Sequence, residues 1–209
     1  MRSVLLPALL AVLVGGCVST GTERAQAARV GLQAAHQRLA DARAACEAAR
    51  DSLQALLDTT SGDLEAPFAA FKESMAVLRH QAEAVARLPE QLRTRGDAYF
   101  DQWERDLTGI QDASLRATSA SRRGESLAAY NLVVGTMWSA QPVFHPLLAL
   151  LVDVRVVLGN DLTRAGIESV RGMSERVGQA TATVTGRIDA LMADVETVAE
   201  ALSSSLSDA

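Results

Sequence analysis

Aromatic side chains are scarce in this chain: two Trp, two Tyr and four Phe make up 4% of its 209 residues. Sheet cores lean on aromatic and β-branched residues, so this shortage, beside abundant Ala and Leu, argues against a sheet and for helices. Proline is rare too. The five at positions 7, 67, 89, 142 and 146 leave long stretches that can run as uninterrupted helix. Positive charge is in deficit, with 20 Lys and Arg against 25 Asp and Glu and a net charge of -5, the wrong sign for a nucleic-acid footprint. Cysteine is limited to Cys17 and Cys46, too few for a disulfide scaffold. Familiar catalytic signatures are missing as well. None of His36, His80 and His145 has Glu three residues before it, which removes the Glu-x-x-His pairs of a di-iron bundle. No phosphate loop, nucleophile elbow or redox Cys pair is present.

What the chain does have begins at its N-terminus. Arg2 precedes the apolar run "VLLPALLAVLV", a length suited to an export signal and too short for an ordinary bilayer span. Val14-Gly15-Gly16-Cys17 then resembles the lipobox of bacterial lipoproteins, in which the cysteine is acylated and becomes the first mature residue. Residues 1–16 are therefore read as a lipoprotein signal peptide, Cys17 as the lipidation site and 17–22 as a tether. Val18 rather than Asp after the cysteine favours, by resemblance to lipoprotein sorting, the outer membrane facing the periplasm; an inner-membrane anchor or a free periplasmic protein are the alternatives. Cys46 is then left without an intramolecular disulfide partner.

Residues 23–203 carry a helical period throughout. Leu32, Leu39, Cys46 and Leu53 recur every seven residues, and Ala28, Ala35, Ala42, Ala49 and Leu56 fill the alternate seam positions. "TTSGDLEAP" breaks this run with turn and helix-start residues. Leu64, Phe68, Phe71, Met75, Leu78, Ala82 and Val85 continue it, through a kink expected near Pro89 and Gly96, to Leu92, Tyr99, Phe100, Trp103, Leu107 and Ile110. A second break at "GIQDAS" offers Asp112 or Ser114 as an N-cap. Tyr130, Val134, Met137, Gln141, Phe144, Leu148 and Leu151 mark a third helix bent by Pro142 and Pro146, and Val170, Val177, Thr181, Val184, Ile188, Leu191, Val195, Val198 and Leu202 a fourth. Residues 204–209 are expected to fray. Short turns between long helices predict an all-α, elongated, antiparallel four-helix bundle with coiled-coil-like packing. "VFHPLLALLVDVRVVL" is expected to be a buried helix of that bundle, since Asp153, Arg155 and His145 interrupt it.

The stretches "SGDLEAPF", "YFDQWERDL", "SLRATSASRR", "HPLLALLVDVRVVLGNDLTRAGIESV" and "DALMADVETVAEAL" resemble the proteobacterial domain-of-unknown-function (DUF) 2959 family. That resemblance implies an exported helical protein, often with a lipoprotein signal, and supplies no catalytic residue.

Folding the sequence back on itself at the three turns yields candidate sites. Asp97, Asp101 and Glu104 share one helical face beside Trp103, and Asp97 and Asp101 fall opposite Arg122 and Arg123, an arrangement that would orient the second hairpin through ion pairs. Phe71, Met137, Trp138 and Phe144 could border an apolar pocket. Cys46, His80, His145 and Glu175 come to similar heights but on faces that need not agree, so no metal or other cofactor is expected. The leading expectation is a non-enzymatic, membrane-anchored scaffold or docking module for an envelope protein partner. The alternative is a carrier of a lipid or other hydrophobe. An enzyme would need a convergent polar set that the spacing does not display.

Overall fold

The computed structural model describes residues 21–60 and 62–207. Residues 1–16, Cys17 and most of the tether lie outside the described residues. The fold is all-α. Its helices are α1 (Gly21–Asp58), α2 (Glu65–Ala86), α3 (Leu88–Leu107), α4 (Ala113–Ala140), α5 (Phe144–Asn160), α6 (Arg164–Val170) and α7 (Met173–Ser207), with a 3-10 turn at Gln141–Val143. Among the described residues there is no strand.

The heptad stripe of α1 is its buried side. Leu32, Leu39, Cys46 and Leu53, with Ala28, Ala35, Ala42, Ala49 and Leu56 between them, are all almost completely shielded from solvent. Each fully buried Leu contributes about 1.5–3 kcal/mol. Alanine at the intervening positions lets neighbours close in, and α1 packs against α2, α3 and α7. The later seams follow the same logic, with one shift. In α5 the buried positions are Phe144, Leu147, Leu151, Val154 and Leu158, so Leu147 is the core residue and the expected Leu148 is only partly covered. The seven-residue spacing itself runs unbroken through the 3-10 turn, with Tyr130, Met137, Phe144, Leu151 and Leu158 all buried, and Leu147 falls on the alternate seam with Val133 and Val154.

Local chemistry accounts for the chain reversals. Gly62 takes φ +94°, a conformation that excludes ordinary side chains, and Asp63 Oδ1 accepts from Glu65 N at 2.7 Å to start α2. Asp112 caps α4 through bonds from Ser114 N and Leu115 N; the Ser114 hydroxyl above all, and then these backbone donors, hold its carboxyl below the usual range. Thr163 Oγ1 caps α6 from Gly166 N.

Three interruptions occur within the long helical stretches. The first, at Arg87, directly precedes Leu88-Pro89, where the proline ring disfavours continued helix. The second is the Gln141–Val143 turn, and the two are joined, because Gln141 Nε2 donates to Ala86 O at 2.6 Å and so satisfies a carbonyl freed at the first break. The third, at Arg171-Gly172, has no proline to announce it. There Arg171 Nη2 donates to Leu57 O at 3.1 Å while Arg164 Nη1 donates to Thr59 O, so two guanidinium groups from the α6 region close the carbonyl end of α1.

The α4–α5 stretch departs from expectation. Ala113–Asn160 is long and apolar enough to cross a membrane by length and composition, yet only 28% of its most apolar window is buried. The reason lies upstream of Asp153: from Ser126 to Val152 the sequence carries no formally charged side chain. One face, with Tyr130, Val133, Met137 and Phe144, enters the core, and the opposite face leaves Leu132, Trp138, Val152 and Val156 exposed.

Two glycines on that stretch, Gly124 and Gly135, have open space where a Cβ would stand. Replacing either by Ala removes backbone freedom from the unfolded chain without a native clash, so each variant should gain about 0.5–1 kcal/mol in stability, read as a higher urea midpoint at unchanged slope.

Candidate functional site

Trp103 and its neighbours form the most elaborated polar and aromatic contact between helices. Phe100 and Tyr130 meet edge to face at 5.7 Å, Tyr99 lies 4.8 Å from Phe100, and Phe100 and Trp103 are near parallel at 6.4 Å. Gly96 makes this possible, for a Cβ there would stand 2.4 Å from Tyr130 Cε1. The Tyr130 hydroxyl donates to Leu92 O at 2.9 Å, and burial pushes its pKa up to about 12, so it stays a donor across the ordinary pH range. Trp103 Nε1 donates to Ser119 Oγ at 3.1 Å. Arg123, half-buried, donates to Phe100 O at 2.9 Å and pairs with Glu104 at 3.0 Å.

The basic pair and the acidic face therefore meet in a modified way. Arg123 reaches Glu104, one helical turn beyond Asp101 or Phe100, while Asp97 lies 3.6 Å from Arg93 on its own helix. Arg122 is also engaged in an interaction. Glu104 was legible as part of the acidic face with Asp97 and Asp101; which of the three receives the guanidinium depends on the α3–α4 register, and this is anchored by Tyr130 and Trp103.

The residues considered for an apolar pocket do not share one. Phe71, Met137 and Phe144 are buried in the packed core, whereas Trp138 is 45% exposed. Of the metal candidates, Cys46 is fully buried and His80, His145 and Glu175 face solvent. Among the described residues no group of three or more His, Cys, Asp or Glu is placed to hold a metal ion. Burial, and secondarily the neighbouring Glu47 carboxylate, pushes the Cys46 thiol up to about 12. The thiolate is the reactive form, so Cys46 should resist iodoacetamide at pH 8 in the native protein and alkylate fully in denaturant, as read by intact mass.

A cleft absent from the sequence reading opens between α1 and α7. About 520 Å³ in volume, it is lined by Arg29, Gln33 and His36 on one side and by Val195, Glu196 and Glu200 on the other. Arg29, Gln33 and His36, and likewise Glu196 and Glu200, are three or four residues apart and so share a helical face, but no periodic signal says that these two faces oppose each other.

A family model described as "Protein of unknown function (DUF2959)" matches residues 19–207, nearly the whole chain. The chain belongs to the DUF2959 family. No curated protein and no solved structure matches it. Membership in DUF2959 assigns no activity to the aromatic contact or to the cleft, and the match starts two residues past Cys17, so it leaves lipidation of this DUF2959 protein to be argued from its own N-terminus.

Proposed function

We propose that this DUF2959 protein is a non-enzymatic, lipid-anchored scaffold or docking module of the bacterial envelope, held at the periplasmic face of the outer membrane through Cys17. In this reading the mature chain is an elongated antiparallel four-helix bundle, its helices α2–α3, α4–α5 and α6–α7 each counting as one interrupted rod beside α1. The cross-helix pairs support it: His36 with Glu196, Arg43 with Asp189 and Ser174 with Gln54 have residue numbers that rise on α1 as they fall on α7. Between α3 and α4 the pairs Trp103 with Ser119, Phe100 with Arg123 and Leu92 with Tyr130 follow the same rule.

The observation that carries the scaffold reading over the hydrophobe carrier is the filled interior. Phe71, Leu78, Met137, Phe144, Leu147 and Leu151 belong to one contiguous cluster of buried side chains, which a carrier would have to part in order to admit cargo. Meanwhile the uncharged outward face of α4–α5, with Leu132, Trp138, Val152 and Val156, supplies apolar surface of the kind that protein partners cover. Its test is envelope crosslinking from photoreactive residues placed at 132, 138 and 152. A reproducible protein partner lost on Leu132→Asp and Val152→Asp supports docking; adducts with lipid alone, or none, count against it. Lipid copurifying in stoichiometric amount would favour the carrier.

A further inference from the structure

The α1–α7 cleft holds two of the three buried side-chain N or O atoms that lack a hydrogen bond among the described residues. On the α1 wall, Arg29 Nε and His36 Nε2 are both shielded from solvent and neither makes a hydrogen bond. Glu196 Oε1 does approach His36 Nε2 to 2.8 Å, but without hydrogen-bond alignment, so the contact supplies proximity of charge and leaves the nitrogen unsatisfied. Arg29 has no ion-pair partner among the described residues. Leaving a buried donor unmade is costly, and charged donors more so. Opposite them, Glu196 and Glu200 stand four residues apart on α7 and so on the same face, with their side chains toward water, and Val195 provides an apolar floor.

The two walls are thus opposite in charge, and the orphaned donors sit on the basic one. A purely anionic ligand would satisfy Arg29 but face two carboxylates; a purely cationic one would suit the carboxylates but leave the guanidinium unpaired and repelling. A molecule with both charges separated by a few bonds satisfies both walls. Arg29 and His36 are about 10 Å apart along the helix, and a cleft of this size admits a small molecule rather than a protein segment. We propose that the α1–α7 cleft binds a small zwitterion carrying an ammonium group and a carboxylate or phosphate, with the acid on Arg29 and the ammonium between Glu196 and Glu200. Two sources share this chemistry: a free amino acid, and the phosphoethanolamine headgroup of a phospholipid. This site does not depend on the scaffold reading, because it uses neither Cys17 nor the α4–α5 face.

Calorimetric titration of the full chain separates the possibilities. The probes are glycine, glycerophosphoethanolamine, glycerol phosphate as anion alone, and ethanolamine as cation alone, followed by vesicles with and without phosphatidylethanolamine. Saturable binding is expected for at least one zwitterion, with each single-charge probe weaker by about tenfold or more, since each loses one charge-assisted contact. Arg29→Gln and Glu200→Gln should each weaken the zwitterion by about tenfold, while Gln141→Ala, distant from the cleft, leaves it unchanged. Glycine binding without glycerophosphoethanolamine binding assigns the free amino acid; the reverse, with vesicle binding that requires phosphatidylethanolamine, assigns the headgroup. Because Glu200 is exposed, its variant keeps the fold and remains informative if Arg29→Gln does not. Equal binding of glycerol phosphate, unchanged affinity in Glu200→Gln, or no binding of either zwitterion overturns the proposal.

Discussion

Cys17→Ser is expected to move the protein from the membrane pellet to the soluble fraction. A thiol can take a thioether-linked diacylglycerol and a serine cannot, so under the anchor proposed here the substitution removes every acyl chain at once. The expected effect is large because anchoring scales with buried methylene groups: at about 0.8 kcal/mol each, a second chain of about a dozen methylenes adds roughly 10 kcal/mol to a first whose binding alone is marginal and reversible. Fractionation of the envelope measures the redistribution, and intact mass of the wild-type protein measures the acyl chains directly. A wild-type protein that stays soluble, or one whose mass corresponds to unmodified residues, refutes the anchor while leaving the helical fold untouched.

Phe100→Ala should be the most destabilising of the single substitutions considered, by about 3–5 kcal/mol. Its ring is 1% exposed and touches Tyr99, Trp103 and Tyr130, so truncation opens a cavity that three other rings cannot collapse to fill without breaking their own contacts. Tyr130 in particular is tied at its far end to Leu92 O and flanked by Gly96. Tyr130→Phe is the comparison: it keeps the rings and removes one hydrogen bond, for about 1 kcal/mol. The ratio of the two effects, from urea denaturation, distinguishes ring packing from hydrogen bonding as the force that joins α3 to α4. A Phe100→Ala cost no larger than that of Tyr130→Phe would mean that the aromatic cluster does not set this contact.

Much of the fold can be read along the chain. The α1 seam from Ala28 to Leu56 is buried at every position that its seven-residue period selects, because a helix turns its side chains by a fixed angle and the period alone states which of them share a face. The Asp112 cap, the bond from Glu65 N to Asp63 and the interruption before Pro89 are similarly local, since each depends on a side chain and a backbone group within three residues of it. Two features were not local. Leu147 rather than Leu148 is the core residue, because an apolar seam alternates steps of three and four and the covering neighbours decide which step falls where, and the break at Arg171-Gly172 carries no proline to signal it. The uncharged stretch also extends well upstream of Val143, back to Ser126, which leaves more apolar surface on α4 than α5 alone suggests.

The candidate sites show the same division more sharply. The acidic face of α3 and the basic pair of α4 were visible, but Arg123 goes to Glu104, because the Tyr130 bond to Leu92 and the Trp103 bond to Ser119 fix the offset between the two helices. An apolar pocket was expected from four large side chains at similar heights. Three of those fill the core and Trp138 points outward, a difference of rotation that height along a rod does not contain.

The sequence by itself determined that this protein is built of helices, where most of them start and stop, and which stripe of each is apolar, since all of these follow from interactions between residues a turn or less apart. Tertiary structure alone decided which stripes face one another and at what offset, and thereby brought Arg29 and His36, near one end of the chain, opposite Glu196 and Glu200, near the other. That pairing is the sum of many packing contacts between residues 160 or more positions apart, and no local pattern encodes it.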